Sequence, residues 1–204
     1  MVIASAAALS AQTPTSLPLV LRLPAGTRAL GLGDAGVAGV DDDVIFYNPA
    51  QLALVRGTTV SGQRYARGNT AAAFSTVLAF AGGGLGVGAQ WLGFSTRALT
   101  FPIATAALDT AGILTASSAA VTVAFARAIK GVRVGLSSKV AQESAPMTRS
   151  TSGFVDVGLE KNYRAIGIGL ALQNVSTFGV AHTLEPSRVT FGVLSGAALV
   201  NILP

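Results

Sequence analysis

The sequence predicts an all-β fold, an antiparallel transmembrane β-barrel preceded by a segment that is not strand-like. Three observations predict it. Half of the 204 residues are hydrophobic and only 11% are charged, against roughly 25% charged in an ordinary soluble domain. From Thr58 onward, short segments alternate with period two, the spacing of a strand with two unlike faces. One face carries large aliphatic residues and the other glycine, alanine, serine and occasional charges, whereas the solvent face of a soluble antiparallel sheet is commonly rich in Lys, Glu, Asp and Arg. Barrel strands in a membrane turn aliphatics to lipid and small or polar residues to the lumen. A soluble all-β domain is one rival, since it alternates too. A helical membrane protein is the other, because "AAAFSTVLAFAGGGLGVGAQWLGF" is long enough to span, but Gly82, Gly83 and Gly84 would make a very poor helix.

The chain divides into residues 1–12, 13–57 and 58–204. The first stretch opens "MVIASAAALSAQTPTS", apolar and alanine-rich, then small and polar, like the hydrophobic and cleavage regions of a secretory signal with a cut near Ala11 or Gln12, though without a positive start. Next comes "RALGLGDAGVAGVDDDVIFYNPAQLA". Its Gly31, Gly33 and Gly36 fit the G-x-G-x-x-G spacing of a dinucleotide loop, which needs a strand before it and an acid about 20 residues on. Pro24 and Gly26 are poor strand material, and no acid occurs between Asp43 and Asp109. The nucleotide reading fails. Asn48 is placed to cap a short helix that starts at Pro49 and continues through Leu54.

Eight strands follow, near 58–67, 69–81, 84–95, 117–129, 131–142, 151–162, 165–175 and 187–199. Turns are expected at Arg67-Gly68-Asn69, Gly82-Gly83-Gly84, Lys130-Gly131 and Asn162-Tyr163-Arg164. In "GVRVGLSSKVA" Val132, Val134, Leu136 and Val140 oppose Arg133, Gly135, Ser137 and Lys139. In "GFVDVGLEK" Val155, Val157 and Leu159 oppose Asp156, Gly158 and Glu160. A turn near Pro146 sets Arg133 opposite Glu160 and Lys139 diagonal to Asp156, a charge ladder on the lumenal face that fixes the register.

Little points to catalysis. There is no cysteine and one histidine, His182, beside an expected loop, so thiol chemistry is excluded and triads and histidine-rich metal sites are unsupported. Asp41, Asp42 and Asp43 could hold a hard cation, but carboxylates ahead of a helix have the simpler role of satisfying free N–H groups. No cofactor or metal is expected, and the chain reads as a non-enzyme. The 14 basic residues are scattered singly despite a net charge of +5, which argues against nucleic acid as a partner. Trp91, the only tryptophan, suits an aromatic girdle or an ordinary lipid-facing or core position equally well.

The N-terminal block "GTRALGLGDAGVAGVDDDVIFYNPAQLA" resembles the signature of the FadL and PorV/PorQ superfamily of outer-membrane barrels, chiefly at Gly31, Gly33, Asp42, Asp43, Asn48, Pro49 and Ala50. "FARAIKGVRVGLSSKV", "GFVDVGLE" and "IGIGLALQNV" resemble PorV/PorQ-type strands. The resemblance, from Gly26 to about Gly192, implies a bacterial outer-membrane barrel whose N-terminal segment folds into the lumen as a hatch, its glycines permitting tight packing. It implies outer-membrane lipids as surroundings and a non-catalytic part in protein secretion or envelope assembly, with secreted or envelope proteins as partners. A FadL-like channel for hydrophobic small molecules and a structural subunit of an envelope complex are the alternatives.

Eight strands close around a lumen that side chains alone fill, leaving no room for a hatch of this length. The FadL-like relatives are larger barrels, and "VLSGAALVNILP" lacks their usual terminal aromatic residue. The expectation is a truncated or fragmentary chain whose outer strands need further strands, or another subunit, to close.

Overall fold

A computed structural model describes residues 17–31, 43–65, 69–97, 113–145, 148–163, 166–178 and 186–195. Eight strands form one antiparallel sheet in sequential order: β1 (Gly57–Arg64), β2 (Thr70–Phe80), β3 (Gly83–Arg97), β4 (Ile113–Ile129), β5 (Val132–Ala145), β6 (Thr148–Tyr163), β7 (Ile166–Phe178) and β8 (Pro186–Ser195). Every neighbour in sequence is a neighbour in space. The sheet is open: among the described residues β1 and β8 are its two edges and do not pair with each other. No helix among the described residues is long and apolar enough to cross a membrane.

Strand boundaries differ from expectation in ways the backbone explains. The turn expected at Gly82-Gly83-Gly84 is the two-residue Ala81-Gly82, with φ of 48° and 71°, and Lys130-Gly131 matches it with 49° and 78°. Positive φ at both central residues gives the hairpin turn whose twist suits its strands. Asn162 and Tyr163 belong to β6 rather than to a turn. β5 and β6 run on to leave only residues 146 and 147 between them, because ladder hydrogen bonds continue through polar residues such as Ser144 and Ser150 that interrupt the apolar pattern. The turns at 81–82 and 130–131 and the passage from β6 to β7 lie at one end of the sheet, and the passages from β1 to β2, β3 to β4, β5 to β6 and β7 to β8 at the other.

Ahead of the sheet, residues Leu19–Leu21 and Val44–Phe46 form single three-ten turns, Thr27–Gly31 a short helix α1, and Pro49–Ala53 a second three-ten stretch. These segments lie on one face of the sheet and complete two apolar clusters. Val44, Ile45, Phe46, Tyr47 and Leu52 pack on Ala73, Val77, Ala124 and Ala126, while Val20 packs with Leu92, Ala120, Ala141 and Phe154. The segment contributes the bulk of the first cluster. The strands contribute mostly small residues.

The opposite face is inverted relative to a soluble protein. Val121 is 54% exposed and Leu136 56%, whereas Lys139 on the covered face is 3% exposed and Asp156 0%. Trp91 points outward with these aliphatics.

Candidate functional site

The inner face is a seat for the N-terminal segment, and strand glycines form its floor. Gly84, Gly86 and Gly88 fall on the same side of β3. A Cβ at Gly86 would overlap Leu52 and stand 3.0 Å from Ile45 Cδ1, and one at Gly88 would lie 2.8 Å from two ring atoms of Phe46. At Gly84 it would run into the Leu52 backbone, at Gly135 into that of Pro49 and Ala50, and at Gly158 into the Asn48 side chain. These strand glycines were missed as a binding surface. Their signal was present, since "GGLGVG" repeats glycine at period two on the face read as small.

Gly31 corrects the sequence reading. Tight packing was expected there, but a Cβ at Gly31 would meet nothing within 4 Å. Gly31 closes α1 at the segment's surface, where nothing approaches it closely. That helix, and no strand, leads into it, so the strand a dinucleotide loop needs ahead of its first glycine is not present among the described residues.

Asn48 caps as the spacing predicted: extended at φ −145°, it accepts from Ala50 N at 3.1 Å with Pro49 at the first helical position. The helix is of three-ten type and ends at Ala53. Asp43 departs from expectation. It occupies the cap position of the Val44–Phe46 turn, but its carboxylate accepts no capping hydrogen bond from that turn; its backbone (φ −96°, ψ 10°) is not the extended one of a capping residue, and its carboxylate instead packs over Gly26. Gly33, Asp41, Asp42, His182 and residues 1–12 lie outside the described residues.

Further polar contacts fasten the segment. Gln173 Nε2 donates to Tyr47 O at 2.7 Å and to Phe46 O at 3.1 Å. Tyr47 Oη accepts from Ala25 N at 2.7 Å, and Ser61 Oγ donates to Ala25 O at 2.7 Å. Arg56 donates to Leu52 O at 2.7 Å and to Gly83 O at 2.8 Å, tying the last turn of the segment to the start of β3. Buried carbonyls need such partners.

Beside the seat lies the charge ladder. Arg133 is registered opposite Glu160 and Ser137 opposite Asp156, which puts Lys139 diagonal to Asp156. Arg133 Nη2 meets Glu160 Oε1 at 2.6 Å, and Lys139 Nζ meets Asp156 Oδ2 at 2.6 Å. Asp156 also accepts from Ser137 Oγ at 2.9 Å and, through Oδ1, from Asn174 N at 2.7 Å. Asn174 has a φ of 56° where the β6–β7 register slips, so Asp156 anchors a bulge the sequence did not reveal. Lys139, Gln90, Gln173 and Asn174 line a cavity of about 20 Å³ together with Tyr47 and Phe46, room for about one water. Among the described residues no three His, Cys, Asp or Glu side chains come together as a metal site. No protein-family model, curated protein or solved structure matches the chain.

Proposed function

We propose that this chain forms wall of a bacterial outer-membrane barrel of the PorV/PorQ kind, non-catalytic, with its N-terminal segment held against the lumenal face as a hatch. The observation that carries the reading is the inverted burial: in the middle of the sheet Lys139, Asp156 and Glu160 are covered while Val121, Val123, Leu136 and Val140 are exposed. In water such a contiguous apolar face is a liability; in lipid it is the required surface. Dimensions agree. On β4 the outward row is apolar from Ala119 to Phe125, about 20 Å of strand, and its polar flanks Ser117 and Arg127 stand about 33 Å apart along the strand, or roughly 23 Å in height at a tilt of about 45°. The edges at β1 and β8 need further strands or another subunit, since unpaired backbone in hydrocarbon costs several kcal/mol per group.

The covered face favours protein handling over hydrophobic transport. Gln90, Thr122, Lys139, Asp156 and Gln173 are buried there, polar groups that suit contact with protein better than an apolar solute. Val123, outward on β4 and 48% exposed, supplies the test. Val123→Lys should cost about 2–4 kcal/mol of folding stability in lipid vesicles, whereas a stability within about 0.5 kcal/mol of the parent would sink the membrane reading. Affinity purification in mild detergent then separates the roles: co-purified secreted or envelope proteins support this one, and bound hydrophobic small molecules alone support a FadL-like channel.

A further inference from the structure

We infer that the rim of the sheet carrying the 81–82 and 130–131 turns is a binding surface for the phosphate groups of anionic phospholipids, an inference that rests on the membrane reading above. Arg127 and Lys161 share the outward face at this end, and Lys130 sits in the β4–β5 turn. In register, Arg127 aligns with Val134 and Val134 with Leu159, while Val132 aligns with Lys161, so Arg127 and Lys161 lie on strands about 10 Å apart with Lys161 two residues, about 7 Å, nearer the rim. Among the described residues no acid balances them. The described carboxylates lie elsewhere: Asp156 and Glu160 are buried on the opposite face in their own ion pairs, Asp43 is in the N-terminal segment, and Glu143 is at the other end of β5, where Arg149 also lies. Among the described residues the two ends therefore differ, one mixed in sign and the other basic.

Aromatic rings mark the same rim. Phe80 is registered with Gly83, which also pairs with Arg127, and its ring meets Phe125 edge-on at 6.3 Å. Lys161 Nζ stands 4.6 Å over the Tyr163 ring, and Tyr163 is 53% exposed. Basic groups next to exposed aromatics at the margin of an apolar band are the chemistry of a headgroup boundary. Positive charge without acid selects anionic headgroups over zwitterionic ones.

Trp91, the single tryptophan, faces outward within the band and reports lipid contact by a blue shift of its emission. The whole chain is diluted from detergent into vesicles of phosphatidylcholine, alone or mixed with phosphatidylglycerol. The shift should appear in both, with half-saturation in the mixed vesicles at on the order of a hundredfold less lipid for three basic groups, and added salt should narrow the gap. R127Q/K130N/K161Q, with Asn chosen at Lys130 because it tolerates positive φ, should bring the two curves within a few-fold, while R64Q/R149Q at the other end should leave the gap. Equal curves for the parent, or a gap that survives the triple change, overturn the proposal while leaving the membrane reading intact. A triple variant that gives no shift in phosphatidylcholine has lost its fold, and the single changes R127Q and K161Q then decide by the same comparison. No shift for the parent in either vesicle overturns the membrane reading and this proposal with it.

Discussion

Gly84→Ala tests whether the strand glycines are the floor of the segment's seat. The added methyl would stand 2.6 Å from Leu52 C and closer still to its carbonyl oxygen, and backbone cannot rotate aside. Either the sheet strains, at the about 1–3 kcal/mol typical of overpacking, or the Pro49–Ala53 turn lifts and Leu52, fully buried, loses burial worth about 1.5–3 kcal/mol. The smaller cost is taken, so a loss of about 2 kcal/mol is expected, and the same for Gly135→Ala. Gly88→Ala meets the Phe46 ring, which can turn, and should cost about half as much. Gly62→Ala is the control: nothing lies within 4 Å of its Cβ, and reduced unfolded-state freedom should leave it neutral or stabilised by about 0.4–1 kcal/mol. Denaturant midpoints in detergent, followed by Trp91 fluorescence, give the stabilities, and the rate of tryptic cleavage after Arg56 gives release of the segment. If Gly84→Ala and Gly135→Ala match Gly62→Ala in both measurements, the seat does not exist as described.

Two further outcomes follow from the polar contacts. Asp156→Ala leaves Lys139 buried without its carboxylate and should lower stability by about 3–5 kcal/mol, while Lys139→Met with Asp156→Leu should recover most of it; a single change costing under about 1 kcal/mol would show the pair to be solvated. Asn48→Ala removes the bond to Ala50 N and should cost about 1 kcal/mol, seen as faster hydrogen exchange of the amides of residues 50–53; unchanged exchange there would refute the cap.

Much of the fold was legible because it rests on near neighbours. Alternation along "GVRVGLSSKVA" and "GFVDVGLEK" assigned the covered and exposed faces of β5 and β6, and opposite charges on adjoining strands set their register at Arg133 and Glu160. The Asn48-Pro49 cap was readable for the same reason, since donor and acceptor lie two residues apart. Gly31 and Asp43 were read wrongly because their surroundings come from the path of the segment over the sheet, which no local spacing encodes. The Asn174 bulge was hidden likewise: its cause is a carboxylate 18 positions away.

By itself, then, the sequence determined that eight strands alternate, which side of each is apolar, and where a short capped turn precedes them. Each of these depends on period-two geometry or on contacts within one hairpin. Only the tertiary structure decided that the small face is filled by the chain's own N-terminal segment, with Leu52 against Gly84 and Gly86 and Gln173 holding the carbonyls of Phe46 and Tyr47. The physical reason is separation: Leu52 and Gly84 are more than 30 positions apart and Gln173 and Phe46 more than 120, and a glycine's missing side chain acquires meaning only when something arrives to occupy its space.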